Sequence, residues 1–144
     1  MKTEELRRFI DILPQKYPFL MIDKIVEYEE GQSLSAIKNI TGGEWIYENG
    51  YDLLGGRFPE TLIIEAAAQT ALAYFHANDG FTEGKKIFLG KVDAEFFHEV
   101  KVGDRLTFKT GSFKKMGKSG FISVVCSRGD EAIASVQVFY GLSK

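Results

Sequence analysis

Apolar residues recur at helical spacing near the start of the chain. Leu6, Phe9, Ile10 and Leu13 fall on one stripe of a helix, and Pro14 ends it. A helix with a single apolar stripe needs a surface that buries it, so this segment predicts a docking helix rather than an independent unit.

A second apolar segment, residues 62–75, has hydrophobic residues on nearly every side of a helix. Pro59 suits the start of that helix, and the turn-forming Asn78-Asp79-Gly80 suits its end. The helix is therefore predicted to be buried on most sides. Glu65 and Gln69 are polar exceptions one turn apart, and a carboxylate in apolar surroundings needs a partner or a function.

Six other segments have the composition of β-strands and are separated by turn residues: 19–28, 34–39, 86–97, 105–115, 120–128 and 132–141. The turns between the last four predict an antiparallel meander. One long helix against one antiparallel sheet gives an α+β domain spanning residues 1–144. Residues 41–57 contain five glycines and form the longest irregular segment, which suits either a functional loop or a plain surface loop.

Composition and charge narrow the function classes. A chain of 144 residues, 44% hydrophobic and 26% charged, is typical of one globular domain, and a net charge of −2 argues against nucleic-acid binding. The N-terminus has no apolar stretch of a secretory signal, and the longest apolar run is shorter than the roughly 20 residues of a membrane span. With a single cysteine, the sequence predicts a cytoplasmic protein. Without metal-ligand spacing, a P-loop or a dinucleotide fingerprint, it predicts no cofactor and no metal.

Five blocks of sequence, in order, resemble the 3-hydroxyacyl-acyl-carrier-protein dehydratases of the FabZ type: residues 12–23, 36–39, 57–59, 62–69 and 90–96. The resemblance implies a hot-dog fold, in which a curved sheet wraps a long central helix. It also implies dehydration of 3-hydroxyacyl chains and a dimer whose active sites are shared between subunits. The implied partners are acyl carrier protein or a CoA thioester, and a second hot-dog chain in a homodimer, a heterodimer or a hexamer.

The chemistry implied by the resemblance needs two proton-transfer groups and donors for the thioester oxygen. The family supplies a histidine from a G-H-F-P loop and a carboxylate from the helix of the partner subunit. Glu65 matches the carboxylate, but Arg57 occupies the histidine position and cannot act as a base near neutral pH. The glycine- and proline-rich segment that follows F-P in the family is reduced to Glu60 and Thr61. The sequence thus predicts an impaired dehydratase site.

Arg57 has three alternative roles: a pair with Glu65 of its own or the partner chain, a contact with the phosphate of a phosphopantetheine arm, or a solvated surface residue. Together with Arg57, Phe58 and Gln69 are assigned to substrate binding. By the resemblance, Gln69 supports the site through hydrogen bonds. Its alternative is an amide satisfied by backbone or water.

The remaining reactive residues predict structural roles. His76 lies roughly 16 Å along the helix axis from Glu65, too far for a dyad, and His98 is predicted to pack or cap a turn. Cys126, among hydrophobic residues, is predicted to be a buried packing thiol. The basic residues 114–118 suit either a carrier-protein contact or solvated turn charges, and the latter is favoured.

Three hypotheses follow for the function. The first is a dehydratase homologue without the standard pair of catalytic residues, which binds acyl thioesters or serves as the silent partner of an active relative. The second is an active hydro-lyase with an unusual site. The third is a hot-dog thioesterase that uses Glu65.

Overall fold

Two helices and six strands make up the part of the chain described by the computed structural model, residues 3–48, 55–78 and 86–143. In chain order they are α1 (Thr3–Asp11), β1 (Lys24–Glu29), β2 (Ser33–Asn39), α2 (Glu60–Ala77), β3 (Lys86–Phe96), β4 (Arg105–Met116), β5 (Ser119–Arg128) and β6 (Glu131–Ser143). A short 3₁₀ helix, Trp45–Tyr47, lies in the glycine-rich segment, of which residues 49–54 are outside the described part. The α+β composition predicted from the sequence is confirmed.

The central helix α2 is buried as predicted. Alanine, leucine and glutamine favour a helix intrinsically, and the small side chains of Ala66, Ala67 and Ala71 allow the sheet to approach closely. The helix begins after Pro59, which is extended and makes no side-chain cap. At the other end, the Asn78 N–H and Nδ2 both donate to Tyr74 O, and the rest of the predicted turn, residues 79 and 80, lies outside the described part. None of the helices in the described ranges is long and apolar enough to cross a membrane.

The six strands form one antiparallel sheet in the order β1-β2-β4-β5-β6-β3. The predicted meander is confirmed for β4, β5 and β6 and is wrong for β3, which pairs with β6 at the far edge. The turn before β4 does not fold that strand back onto β3, because it bonds to the end of β2 instead. Ile40 N–H donates to Asp104 O at 2.9 Å, and Gly103 N–H donates to Ile40 O at 2.8 Å. Since β4 takes the place beside β2, β3 is left at the opposite edge.

The first strand is shorter than predicted. Residues 19–23 lie before β1, and the N–H groups of the first three bond outside the sheet. Phe19 and Leu20 N–H donate to Lys16 O, and Met21 N–H donates to the side chain of Gln69 in α2. Pairing with β2 begins only at Asp23, whose N–H donates to Ile37 O at 2.9 Å. The other strand limits lie within a few residues of the prediction.

Helix α1 buries its stripe against the rest of the molecule, as expected of a docking helix. Leu6 and Phe9 are buried, and Leu13 just beyond the helix is 1% exposed. The Phe9 ring meets the Tyr28 ring edge-on with centroids 5.1 Å apart. This packing holds the chain that leaves α1, and with it residues 14–21, over the N-terminal half of α2.

Candidate acyl-thioester site

Gln69 joins α2 to the segment that follows α1. Its side chain is buried, with 1% exposed. Oε1 accepts from Met21 N–H at 2.7 Å, and Nε2 donates to Phe19 O at 2.7 Å and to Glu65 Oε1 at 3.0 Å. Backbone groups thus satisfy most of the amide, as its structural interpretation predicts, while an N–H group also orients the carboxylate of Glu65. A role of Gln69 in substrate binding stays a prediction.

Glu65 is held one turn before Gln69 on the same face of α2. It is half-buried rather than enclosed on every side, and it lines two cavities at once. A carboxylate fixed by an amide donor and open to two cavities is placed to exchange a proton with a bound molecule or to attack it.

The first of these cavities, here the inner cavity, has a volume of about 200 Å³ and lies between α2 and the β3 edge of the sheet. Its walls are mainly apolar side chains from α2, β3 and β6: Ala68, Ala71, Leu72, Ile87, Leu89 and Val138. Drug-sized ligands occupy roughly 300–1,000 Å³, so the inner cavity suits a smaller apolar group.

The second cavity, here the outer groove, is more open and continues from Glu65 to the surface. It is bordered by residues from the chain after α1, the 3₁₀ helix and the start of α2: Pro14, Lys16, Phe19, Trp45, Thr61 and Leu62. Gln15 and Glu65 line both cavities and therefore stand at their junction. An apolar interior with a polar junction and an open approach is the arrangement that a thioester with an acyl tail requires.

Aromatic rings form part of the wall of the inner cavity. The Phe75 and Tyr140 rings have centroids 4.7 Å apart, and Phe113 stacks on Tyr140 at 6.3 Å. The Phe88 ring lies over Gly141, where an added Cβ would come within 2.4 Å of it. Burial raises the pKa of Tyr140 to about 12, so its phenol stays protonated near neutral pH. This part of the cavity wall is therefore made of uncharged side chains.

Arg57 lies outside this junction. Its guanidinium pairs with Glu60, three residues along the chain, and lies 3.9 Å from Glu99 Oε1. The predicted pair with Glu65 of the same chain is wrong, because the nearer carboxylates at the start of α2 and before Lys101 occupy the guanidinium. The backbone of Arg57 forms a β-bridge with Lys101, which fixes the loop. A pair with Glu65 of another subunit and a phosphate contact stay predictions.

Phe58, the second residue assigned to substrate binding, points into the core. Its side chain is 1% exposed, and its N–H donates to Val100 O at 2.7 Å. The structure gives it a packing role that anchors the start of α2, and its contact with substrate stays a prediction.

The other reactive side chains lie outside both cavities in the described part of the chain, and His98 is an exposed residue beside a carboxylate rather than the packing or capping residue predicted. His98 Nε2 lies 3.5 Å from Glu131 at the surface, and burial lowers the pKa of half-buried His76. Within the described ranges, no histidine lines the inner cavity or the outer groove. Cys126 is fully buried, and burial raises the pKa of its thiol to about 12, which confirms the packing prediction. Lys114 and Lys118 are exposed, as solvated turn charges are.

Gln15 is the site residue that sequence reasoning missed. It lies in one of the family-like blocks, but its polarity alone gave no reason to separate it from its neighbours. Phe75 and Tyr140, which also line the inner cavity, could not be singled out from the sequence, because an aromatic residue in a helix or strand most often indicates core.

Comparison with known proteins identifies the family of this arrangement. The family model described as a FabA-like domain matches residues 13–137. The chain belongs to the FabA-like family. This confirms the resemblance seen in the five sequence blocks.

Curated relatives of this FabA-like chain are FabZ dehydratases. The 3-hydroxyacyl-[acyl-carrier-protein] dehydratase FabZ of Clostridium botulinum is 32% identical over 146 residues, which cover 96% of this chain and 100% of the relative. The FabZ of Oceanobacillus iheyensis is 31% identical over 150 residues, covering 99% of each chain. The similarity therefore extends over the whole length of both relatives.

Solved structures place the FabA-like chain in the hot-dog fold. A chain of the dehydratase heterocomplex ApeI:P from Xenorhabdus doucetiae has a TM-score of 0.72 at 13% identity, covering 96% of this chain and 91% of that one. A hot-dog-like protein from Thermanaerovibrio acidaminovorans has a TM-score of 0.64 at 14% identity, covering 81% and 84%. A hypothetical thioesterase with coenzyme A from Streptococcus pneumoniae has a TM-score of 0.69 at 8% identity, covering 99% and 97%. The predicted hot-dog fold is confirmed.

Proposed function

We propose that this chain binds acyl thioesters of acyl carrier protein or CoA, with the acyl group in the inner cavity and the thioester beside Glu65. We also propose that it does not carry out the standard dehydration by itself. The observation that carries the proposal is the position of Glu65, held by Gln69 Nε2 at 3.0 Å at the junction of an apolar cavity and an open groove. The family of the chain and the dehydratase names of its relatives support the substrate class.

The expected lack of dehydration follows from the two proton transfers that the reaction needs. Removal of water needs a base for the α proton and an acid for the leaving hydroxyl. Glu65 can fill one of these roles, but Arg57 stays protonated near neutral pH and already has Glu60 and Glu99 as partners. A chain with one proton-transfer group fits the role of a silent partner subunit, paired with an active relative that supplies the other.

The exposed edge of the sheet at β3 supports such a shared site. β3 is the last strand of the sheet, and its outer backbone groups have no neighbouring strand in the described part of the chain. Phe88 and Leu89 on this strand are 56% and 54% exposed, an unusual state for large apolar side chains at a sheet edge. Both residues also line the inner cavity, so a second hot-dog chain at this edge would cover the cavity as well.

Thioester hydrolysis is the second candidate function. It is favoured by the same carboxylate, because hydrolysis by a single Glu65, as base or nucleophile, needs no histidine. The start of α2 borders the outer groove at Thr61, where backbone N–H groups of a helix N-terminus are suited to a thioester oxygen. The first candidate predicts a bound thioester that does not react, whereas the second predicts release of free thiol.

One pair of assays distinguishes these functions. Purified protein is mixed with a crotonyl thioester, and hydration and release of free thiol are followed for the wild type, Glu65→Gln and the exposed control Glu30→Gln. We expect binding but no appreciable hydration. Hydration lost in Glu65→Gln and kept in Glu30→Gln would contradict this and favour an active hydro-lyase, whereas thiol release with that dependence would favour the thioesterase.

The same assay tests the role given to Arg57. We expect Arg57→His alone not to create hydration, because the chain still passes from Pro59 directly into α2 at Glu60 and lacks the segment that follows F-P in the family. In a parallel experiment, the wild-type chain is co-expressed with an active hot-dog relative, and the hydration activity of the pair is measured. Appearance of activity in the single variant would mean that the shortened loop matters less than argued.

A further inference from the structure

Lys38 is a buried charged residue of β2 whose ammonium group is paired with a loop. Its side chain is 7% exposed, and Nζ lies 2.8 Å from Oε1 of Glu44, whose side chain is 13% exposed. Asp23 Oδ1 lies 3.9 Å from the same nitrogen and is more open to solvent. Asp23 Oδ2 accepts from Asn39 N–H at 2.6 Å, so a backbone group already engages that carboxylate. Among the described residues, Glu44 is therefore the main partner of the Lys38 charge.

A buried ion pair of this kind contributes geometry more than stability. Removing both charges from water offsets much of their attraction, and apolar residues of similar volume often stabilise a protein as well or better. A charge-assisted hydrogen bond does fix a distance and a direction between two groups, whereas apolar contacts are non-directional. The pair of Lys38 and Glu44 is thus suited to holding the loop that carries Glu44 in one position.

Glu44 is joined directly to a residue that borders the outer groove. Its backbone oxygen accepts from Tyr47 N–H at 3.0 Å, at the start of the 3₁₀ helix. The next residue, Trp45, lies at the border of the groove and meets the Phe19 ring edge-on, with centroids 6.3 Å apart. Lys38 is not among the described residues that line either cavity, so it reaches the groove only through this loop.

We propose that Lys38 is a positioning residue of the outer groove: its ion pair with Glu44 fixes the Trp45 ring and thereby sets the affinity of the groove for a pantetheine arm. This inference rests on the proposed function, because an acyl group in the inner cavity with its thioester beside Glu65 directs the rest of the molecule along the outer groove. A ring that is held in place before the ligand arrives loses less conformational freedom on binding, so the arm is bound more tightly.

Binding measurements on the intact protein test the proposal. The probe is a hexanoyl pantetheine analogue in which methylene replaces the thioester sulfur, and its dissociation constant is measured by titration calorimetry. Lys38→Met keeps a similar side-chain length and removes the charge, and we expect the constant to rise about three- to thirtyfold. Trp45 is the single tryptophan of the chain, so acrylamide should quench its fluorescence more strongly in this variant. Quenching equal to that of the wild type would contradict the proposal.

Two further variants separate positioning from stability. Lys38→Met leaves the Glu44 carboxylate buried without this partner, so its thermal midpoint should fall. In Lys38→Met/Glu44→Leu neither charge remains, and we expect the midpoint to recover while the affinity stays low, because an apolar contact does not fix the loop. Val124→Ala truncates a fully buried side chain of β5 that is not among the described residues lining either cavity. It should lower the midpoint without changing the affinity.

The outcomes separate this inference from the function on which it rests. Wild-type affinity in Lys38→Met, or recovery of affinity together with the midpoint in the double variant, would overturn the role of Lys38 and leave the proposed function standing. A loss of affinity in Val124→Ala as large as in Lys38→Met would also overturn it, since any loss of stability would then weaken binding. Failure of the wild type to bind the analogue would overturn the proposed function, and this inference with it.

Discussion

Replacing Gln69 by methionine tests how much the amide bridge between α2 and the preceding segment stabilises the fold. Methionine has a similar length and no hydrogen-bonding amide. The change removes the bonds to Met21 N–H, Phe19 O and Glu65 Oε1. Met21 is 2% exposed, so its N–H would be left unsatisfied in a dry environment, whereas the other two partners are nearer to water.

The expected fall in the free energy of unfolding follows from how buried the three partners of Gln69 are. A buried donor left without a partner costs about 1–3 kcal/mol, and each of the other two bonds contributes about 0.5–1.5 kcal/mol. Methionine recovers part of this by burying more apolar surface, so we expect the free energy of unfolding to fall by about 2–4 kcal/mol. That is a large share of the roughly 5–15 kcal/mol that stabilises a typical domain.

Equilibrium unfolding in urea, followed by fluorescence, measures the loss. Trp45 borders the groove that residues 14–21 help to form, so its emission should report the same transition. Wild type and variant are compared at one protein concentration, because a dimer makes the midpoint concentration-dependent. The control Gln137→Met, on an exposed position of β6, should change stability by less than about 0.5 kcal/mol. A loss below about 1 kcal/mol for Gln69→Met, with an unchanged slope, would refute the reasoning.

Two further predictions concern packing. Alanine at Gly120 would place Cβ 2.4 Å from the backbone oxygen of Lys114, whereas at Gly141 it would meet the ring of Phe88, which is 56% exposed and can move. We expect Gly120→Ala to cost about 1–3 kcal/mol and Gly141→Ala clearly less, and the opposite order in thermal unfolding would contradict this. The thiol of Cys126, with its pKa raised to about 12, should not react with a thiol reagent at pH 8 in the folded protein but should react in urea. Labelling of the native protein at the unfolded rate would show that the thiol is accessible.

The sequence was enough to predict the elements that depend on local pattern. The central helix could be located because Pro59 and a continuous apolar segment mark its start and its burial. The place of β3 could not be predicted, because a period of two shows that a segment is a strand but not which strand it joins. The contacts that hold β4 beside β2, and so leave β3 at the opposite edge, join Ile40 to the turn before β4. Ile40 and that turn are more than sixty residues apart in the chain.

The site was predictable only in part. Glu65 and Gln69 could be singled out as polar residues in an apolar helix, and the structure joins them. The pairing of Arg57 with Glu60 was open to prediction from their spacing at a helix start, but the alternatives considered were Glu65, a phosphate and solvent. The burial of Gln15 Oε1 without a partner in the described part of the chain depends on where the chain turns after α1, which no local pattern shows.

The hydrogen bonds of the Gln69 amide couple the inner cavity to the outer groove. One nitrogen donates both to Phe19 O, at the outer groove, and to Glu65 Oε1, at the inner cavity. A molecule in the groove that shifts Phe19 changes the hydrogen bonding of the carboxylate, and by reciprocity a group that binds the carboxylate changes the affinity of the groove. Occupancy of the groove and occupancy of the inner cavity are therefore linked through one nitrogen atom, with the same coupling free energy in both directions.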